Sequence, residues 1–229
     1  MSVFDAALER LRAALAEMRG RRDFDLKMRE RDEVLSRYQP VFNPQNLENL
    51  SEEVFRSFLY FENNKHWTGL HRQAGPLTSD MNSLRKALAV LLDESLPLAE
   101  RFDEALKSVK GLGRALATAI LLVVYPDRYG VWNSISEAGM KIVGIFPEFE
   151  KGVTPGRKYE RLNETFLQLA TALKIDLWTL DWLWWELVRG EETEGAPSEQ
   201  VPSSEEQRFP LERHLLDFLV ANWEQTELG

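Results

Sequence analysis

Cysteine is absent from the 229 residues, which excludes disulfide scaffolds and thiolate metal sites. Histidine is scarce: His66, His71 and His214 are too few for a histidine-rich catalytic metal centre, and no metal or cofactor is expected. Long apolar runs are missing too. Even "ATAILLVVY" (Ala117 to Tyr125) halts at Pro126, well short of the ~18 to 20 apolar residues of a membrane span. The first twenty residues interleave acids and arginines with apolar positions and lack the apolar core of a signal peptide. A cytoplasmic protein with no membrane role is therefore expected. Sustained period-two alternation is also lacking, which removes support for a sheet-based fold.

What is present is a soluble globular composition, 44% hydrophobic and 28% charged with seven Trp, enough to bury a core. The net charge is -9, but six Glu and no Lys or Arg fall in "EETEGAPSEQVPSSEEQ" (Glu191 to Gln207). The rest is close to neutral and leaves room for a local basic face.

Helical periodicity fills most of the chain. It predicts one or two helices from Ser2 to about Tyr38, broken near Gly20, and a helix over Asn49–Phe61 capped by Ser51, with Val54, Phe55, Phe58 and Leu59 as its apolar stripe. Further helices are predicted over Thr78–Asp93, Pro97–Val109, Tyr159–Ile175 and Thr179–Gly190, the last with Gly190 as its stop. The expectation is an all-α fold with three parts. Residues 1–190 form a multi-helix body, 191–208 an acidic flexible linker, and 209–229 an isolated C-terminal amphipathic helix.

One stretch carries chemistry: "VKGLGRALATAILLVVYPDRYGVW" (Val109 to Trp132). Its Gly-Leu-Gly lacks the Gly-Lys-Ser/Thr of a Walker loop and the preceding strand and third glycine of a dinucleotide fingerprint. It fits a helix-hairpin-helix turn over 102–125, with Leu106 and Val109 before the turn, Leu112 buried between the glycines, and Ala117, Ile120 and Leu121 facing back onto the first helix. Such a turn offers free N–H groups and the positive end of a helix dipole to a DNA phosphate without reading the base. The candidate backbone-binding residues are Lys110, Gly111, Leu112, Gly113 and Arg114. The competing reading is a tight corner with no ligand.

Residues Phe102 to Gly144 resemble the helix-hairpin-helix superfamily of DNA base-excision glycosylases, which implies an all-helical scaffold and contact with the DNA backbone. Laid on without gaps, the family's essential Asp falls on Asn133 and the lysine of its lyase members on Ala115. Neither side chain can carry that chemistry, so no catalytic residue is assigned and the chain is not expected to be catalytic by itself.

A second candidate region is "FENNKHWTGLHRQAG" (Phe61 to Gly75), where Lys65, His66, Trp67 and Arg72 could stack a base and contact phosphates; the alternative is that Trp67 anchors the loop in the core and the His are solvated. In "DLWTLDWLWWEL" (Asp176 to Leu187), Trp178, Trp182 and Trp185 share one helical face, read as core ahead of a ligand cage, while Trp184 points elsewhere as a possible interface residue. The charge alternation of Met18 to Arg37 reads as a solvated face.

"LERHLLDFLVANWEQTELG" (Leu211 to Gly229) resembles the opening helix of the PD-(D/E)xK nuclease domain of DNA-repair endonucleases, with Glu212 at the position that can assist the metal site; the rest of that signature would lie beyond Gly229. The leading expectation is a non-sequence-specific DNA-backbone-binding module, and the nuclease resemblance implies the DNA-binding part of a restriction or repair nuclease. The alternative is a helical protein–protein interaction domain that docks a partner through Phe209 to Gly229.

Overall fold

The structure, a computed structural model of the chain, describes residues 2–194. In chain order its α-helices are α1 (Val3–Gly20), α2 (Phe24–Phe42), α3 (Glu52–Leu59), α4 (Phe61–Asn64), α5 (Ala74–Thr78), α6 (Met81–Leu92), α7 (Leu98–Ser108), α8 (Arg114–Val124), α9 (Ser134–Ile142), α10 (Pro155–Leu173) and α11 (Leu177–Glu194), with 3-10 turns at Pro44–Asn49 and Leu70–Gln73. No strand occurs among the described residues. The fold is all-α, and no described helix is long and apolar enough to cross a membrane. The first four residues of the expected linker, 191–194, continue α11; the rest of the linker, the C-terminal helix, Glu212 and His214 lie outside the described residues.

The starts of several helices are written in their caps. Ser2 and Asp5 form a capping box on α1, the Ser51 hydroxyl accepts from Val54 N (3.2 Å) on α3, and Asp80 accepts from Asn82 N and Ser83 N (3.0 Å each) on α6. Thr154 caps α10, with Pro155 in its first turn. Each satisfies an amide that the helix itself cannot. The Asp80 cap moves the start of α6 three residues past the expected Thr78.

α8 is apolar on every side, and its residues Leu116 to Val123 are all buried. A helix of that kind must be enclosed. α2, α6 and α7 pack on it, and α10 packs on α7. Each of its large side chains removed from water contributes about 1.5–3 kcal/mol, which makes α8 the mainstay of the body.

Three sequence expectations are corrected. Val54 is exposed and only Phe55, Phe58 and Leu59 of its stripe are buried, because α3 turns one narrow edge to the core. Gly190 does not stop α11, which continues to Glu194; an isolated glycine is tolerated inside a helix at a modest cost. Trp184 and Trp185 exchange roles: Trp184 is 1% exposed and Trp185 is 44% exposed. Trp184 packs against Phe166 and over Gly139 of α9, where a Cβ would lie 2.6 Å from its ring.

That approach yields a prediction of sign. In a helix, Gly→Ala ordinarily stabilises by up to about 1 kcal/mol. Gly139→Ala is expected instead to destabilise by about 1–3 kcal/mol through overpacking against Trp184, read by urea denaturation; a stabilised variant would place the Trp184 ring away from α9.

Candidate nucleic-acid interface

The hairpin connects α7 to α8. Gly111 has φ +96°, a left-handed conformation that favours glycine, and a Cβ there would meet Gln73 Oε1 at 3.3 Å and Pro76 and Leu77 at 3.4 Å. Turn geometry and packing therefore both account for Gly111. Gly113 differs. Its φ of -88° and ψ of 166° suit any residue, it is exposed, and a Cβ there would have nothing within 4 Å.

The turn consumes some of the amides that a phosphate would need. Leu112 N donates to Val109 O (3.2 Å) and Gly113 N to Gly111 O (2.9 Å). Gly113 supplies no side-chain cap to α8, and the N–H groups of Arg114, Ala115 and Leu116 have no acceptor among the described residues. The donors available to a ligand thus sit one to three residues further along than the glycines. Lys110 is exposed and has no carboxylate partner among the described residues; with Lys107, Gln73 and the turn itself it borders a shallow groove of about 460 Å³.

Arg114 does not face that groove. Its guanidinium pairs with Glu137 Oε1 (2.7 Å) and lies 4.6 Å over the Trp132 ring, whose Nε1 donates to the same oxygen (2.8 Å). It borders a second, deeper cavity of about 690 Å³, in which α8, α9, α2, α11 and the loop after α4 meet.

That loop is fixed by Asn64, which is fully buried. Its Nδ2 donates to Phe58 O and Trp67 O, and its Oδ1 accepts from His66 N and Trp67 N. Lys65 at φ +58° makes the reversal. Trp67 is consequently buried against Phe58 (5.9 Å between centroids) and Trp178 (5.0 Å), and His66 packs on Trp178 at 4.6 Å. Trp67 is anchored in the core, and Lys65, His66 and Trp67 all line the cavity. Of the two His, His71 is exposed and the His66 side chain is largely covered. Arg72 is exposed on the 3-10 turn and borders neither cavity.

From α11 come Trp178, Asp181, Trp182 and Trp185. Asp181 is 6% exposed. Its Oδ2 is bonded by His66 Nε2 (3.0 Å) and Trp67 Nε1 (2.9 Å), whereas its Oδ1 is buried with no partner. The charged face of α2 also turns inward here, through Lys27, Glu30 and Arg31. Arg31 pairs with Asp32 and Asp176; burial opposes its charge, but the hydrogen bond to Asp32 and the charge of Asp176 prevail and hold its pKa above the ordinary arginine value. Asn133, where the glycosylase resemblance places the family's Asp, caps α9 by accepting from Ser136 N (2.8 Å). It and Ala115 line the same cavity.

The sequence-predicted residues are thus divided between two adjoining sites, with Lys110 to Gly113 at the groove and Lys65, His66, Trp67 and Arg114 at the cavity. Asp181 was missed. The signal was a lone acid on the helical face shared by Trp178, Trp182 and Trp185. Among the described residues no group of three or more His, Asp and Glu could hold a metal ion. No protein-family model matches the chain, and no curated protein or solved structure matches it.

Two substitutions separate the structural part of Asp181 from the rest. Asp181→Ala leaves Trp67 Nε1 and His66 without an acceptor and is expected to cost about 1–3 kcal/mol. Asp181→Asn keeps an amide oxygen for both donors and is expected within about 1 kcal/mol of the parent, since the unpartnered buried oxygen was itself costly. Urea denaturation of both variants checks this; equal stability would mean that the bonds to Oδ2 contribute nothing.

Proposed function

We propose that this chain is a DNA-binding helical module that holds the sugar-phosphate backbone at the start of α8 and does so without reading sequence. The observation that carries this reading is Gly113. Neither its dihedrals nor its neighbours require a glycine, yet the side chain is missing directly before the three unpartnered amides of Arg114, Ala115 and Leu116. A bare backbone in front of an uncapped helix N-terminus accepts an anion at close range. Lys110, and Lys107 beside it, supply positive charge at the groove, in keeping with phosphate contacts that position a protein and carry no sequence information.

The overall charge of -9 keeps such binding weak and local, because only the few cations near the turn contribute. Binding to duplexes of unrelated sequence is expected at micromolar or weaker affinity and to fall steeply with salt as counterions are released. In fluorescence anisotropy at two salt concentrations, Gly113→Glu is expected to weaken binding at least about tenfold by placing a carboxylate on the phosphate site. Lys110→Ala should weaken all sequences alike and lower the salt slope by about one. Gly113→Ala should change stability by less than about 1 kcal/mol while still reducing affinity. Equal binding by the parent and Gly113→Glu would remove the hairpin from the account and leave the helical interaction domain as the better reading.

A further inference from the structure

Arg114 is the first residue of α8, and its own amide is one of the three without an acceptor among the described residues. A guanidinium that begins there can reach an anion held by those amides, and would bring it a full charge and a fork of donors. In the structure it serves neither purpose, because its side chain is turned away from the groove and tied to α9.

The tie has two parts. Arg114 Nη1 lies 2.7 Å from Glu137 Oε1, and the guanidinium stands 4.6 Å over the Trp132 ring. Both partners are themselves fixed. Trp132 Nε1 donates to the same Glu137 oxygen at 2.8 Å, and Glu137 sits in the first turn of α9, where the helix dipole favours a negative charge. The Trp132 ring is buried, and its backbone N–H donates to Thr118 Oγ1 of α8 (3.0 Å). Carboxylate and ring are therefore parts of the body, whereas the Arg114 side chain is 40% exposed and able to leave.

A phosphate arriving at the start of α8 must compete with this arrangement for the guanidinium. The carboxylate has three advantages. It is always present, its side chain is only 19% exposed, which limits screening by salt, and the indole face adds a cation–π attraction. A phosphate of the DNA backbone meets the protein in water and salt, where an ion pair is weak.

We propose that Glu137 withholds Arg114 from the phosphate site, an autoinhibitory ion pair that keeps duplex affinity below what the cations at the start of α8 would supply. The inference rests on the backbone-binding reading and concerns the regulation of that same site. Removing the charge of Glu137 releases a cation that the free chain keeps in reserve.

The test is duplex binding by fluorescence anisotropy over a salt series, with the full 229-residue chain. Glu137→Gln keeps an oxygen for Trp132 Nε1 and removes the charge that holds Arg114. It is expected to bind about three- to tenfold more tightly than the parent and to steepen the salt dependence by about one, as one further phosphate contact does. Arg114→Ala should leave the salt slope of the otherwise unchanged chain as it is, and in the Glu137→Gln background should abolish the added unit. In the parent, the Arg114 Nε–H and Trp132 Nε1–H signals should keep their free positions in ¹H–¹⁵N spectra as duplex is added. Movement of both signals, or a slope lowered by about one in Arg114→Ala alone, would mean that Arg114 already meets phosphate and would overturn the proposal. So would a gain in Glu137→Gln that survives Arg114→Ala undiminished, since relief of carboxylate repulsion alone gives that result. If the parent does not bind duplex, or binds no better than Gly113→Glu, the backbone reading falls and takes the lock with it. Gly113-dependent binding with an unchanged slope in Glu137→Gln removes the lock alone.

Discussion

A helix that is apolar on every side can meet water only at its ends. α8 is such a helix, and much of the molecule is arranged around that constraint: α2, α6 and α7 enclose it, and α10 is laid over α7. The enclosure leaves the first turn of α8 as the place where its backbone reaches the surface. There the chain has neither a capping hydroxyl nor a carboxylate. It has a glycine, and three amides without acceptors among the described residues. Ser2, Ser51, Asp80, Asn133 and Thr154 perform that capping duty elsewhere, while α2 and α7 also begin without a side-chain cap. What sets α8 apart is that its uncapped start follows a glycine with open space where a side chain would stand.

The same end of α8 separates two sites of different character. The groove on one side is shallow and bordered by Lys107 and Lys110; the cavity on the other is deep, aromatic and built around a buried acid. Arg114 is committed to the cavity side by Glu137 and Trp132.

The local part of this arrangement was legible in the sequence. Periodicity located α1, α2, α3, α6, α7, α10 and α11 but not the short α4, α5 and α9; caps such as Ser51 marked starts, and Gly-Leu-Gly marked the turn between α7 and α8, because all of these signals act within a few residues. What was hidden depended on contacts far apart in the chain. Trp184 and Trp185 are neighbours, and periodicity alone could not foresee that Gly139, 45 positions before Trp184, opens a space for one of them and not the other. Likewise nothing near Asp181 in the sequence marks it, because the partners that share one of its oxygens, Trp67 and His66, lie more than a hundred residues upstream. The charge alternation of α2 read as solvated, and Arg22, Asp25, Arg29, Asp32, Glu33 and Arg37 are exposed; Lys27, Glu30 and Arg31 border the cavity, since only the tertiary fold decides which part of a polar face is covered.

The central claim, that the open start of α8 meets a phosphate, is tested most directly by the backbone amide signals of Arg114, Ala115 and Leu116 when a short duplex is added. The account predicts that these three resonances shift first, become protected from hydrogen exchange, and return toward their free positions as salt is raised. Resonances of α8 that stay in place while others in the body respond to the duplex would contradict it.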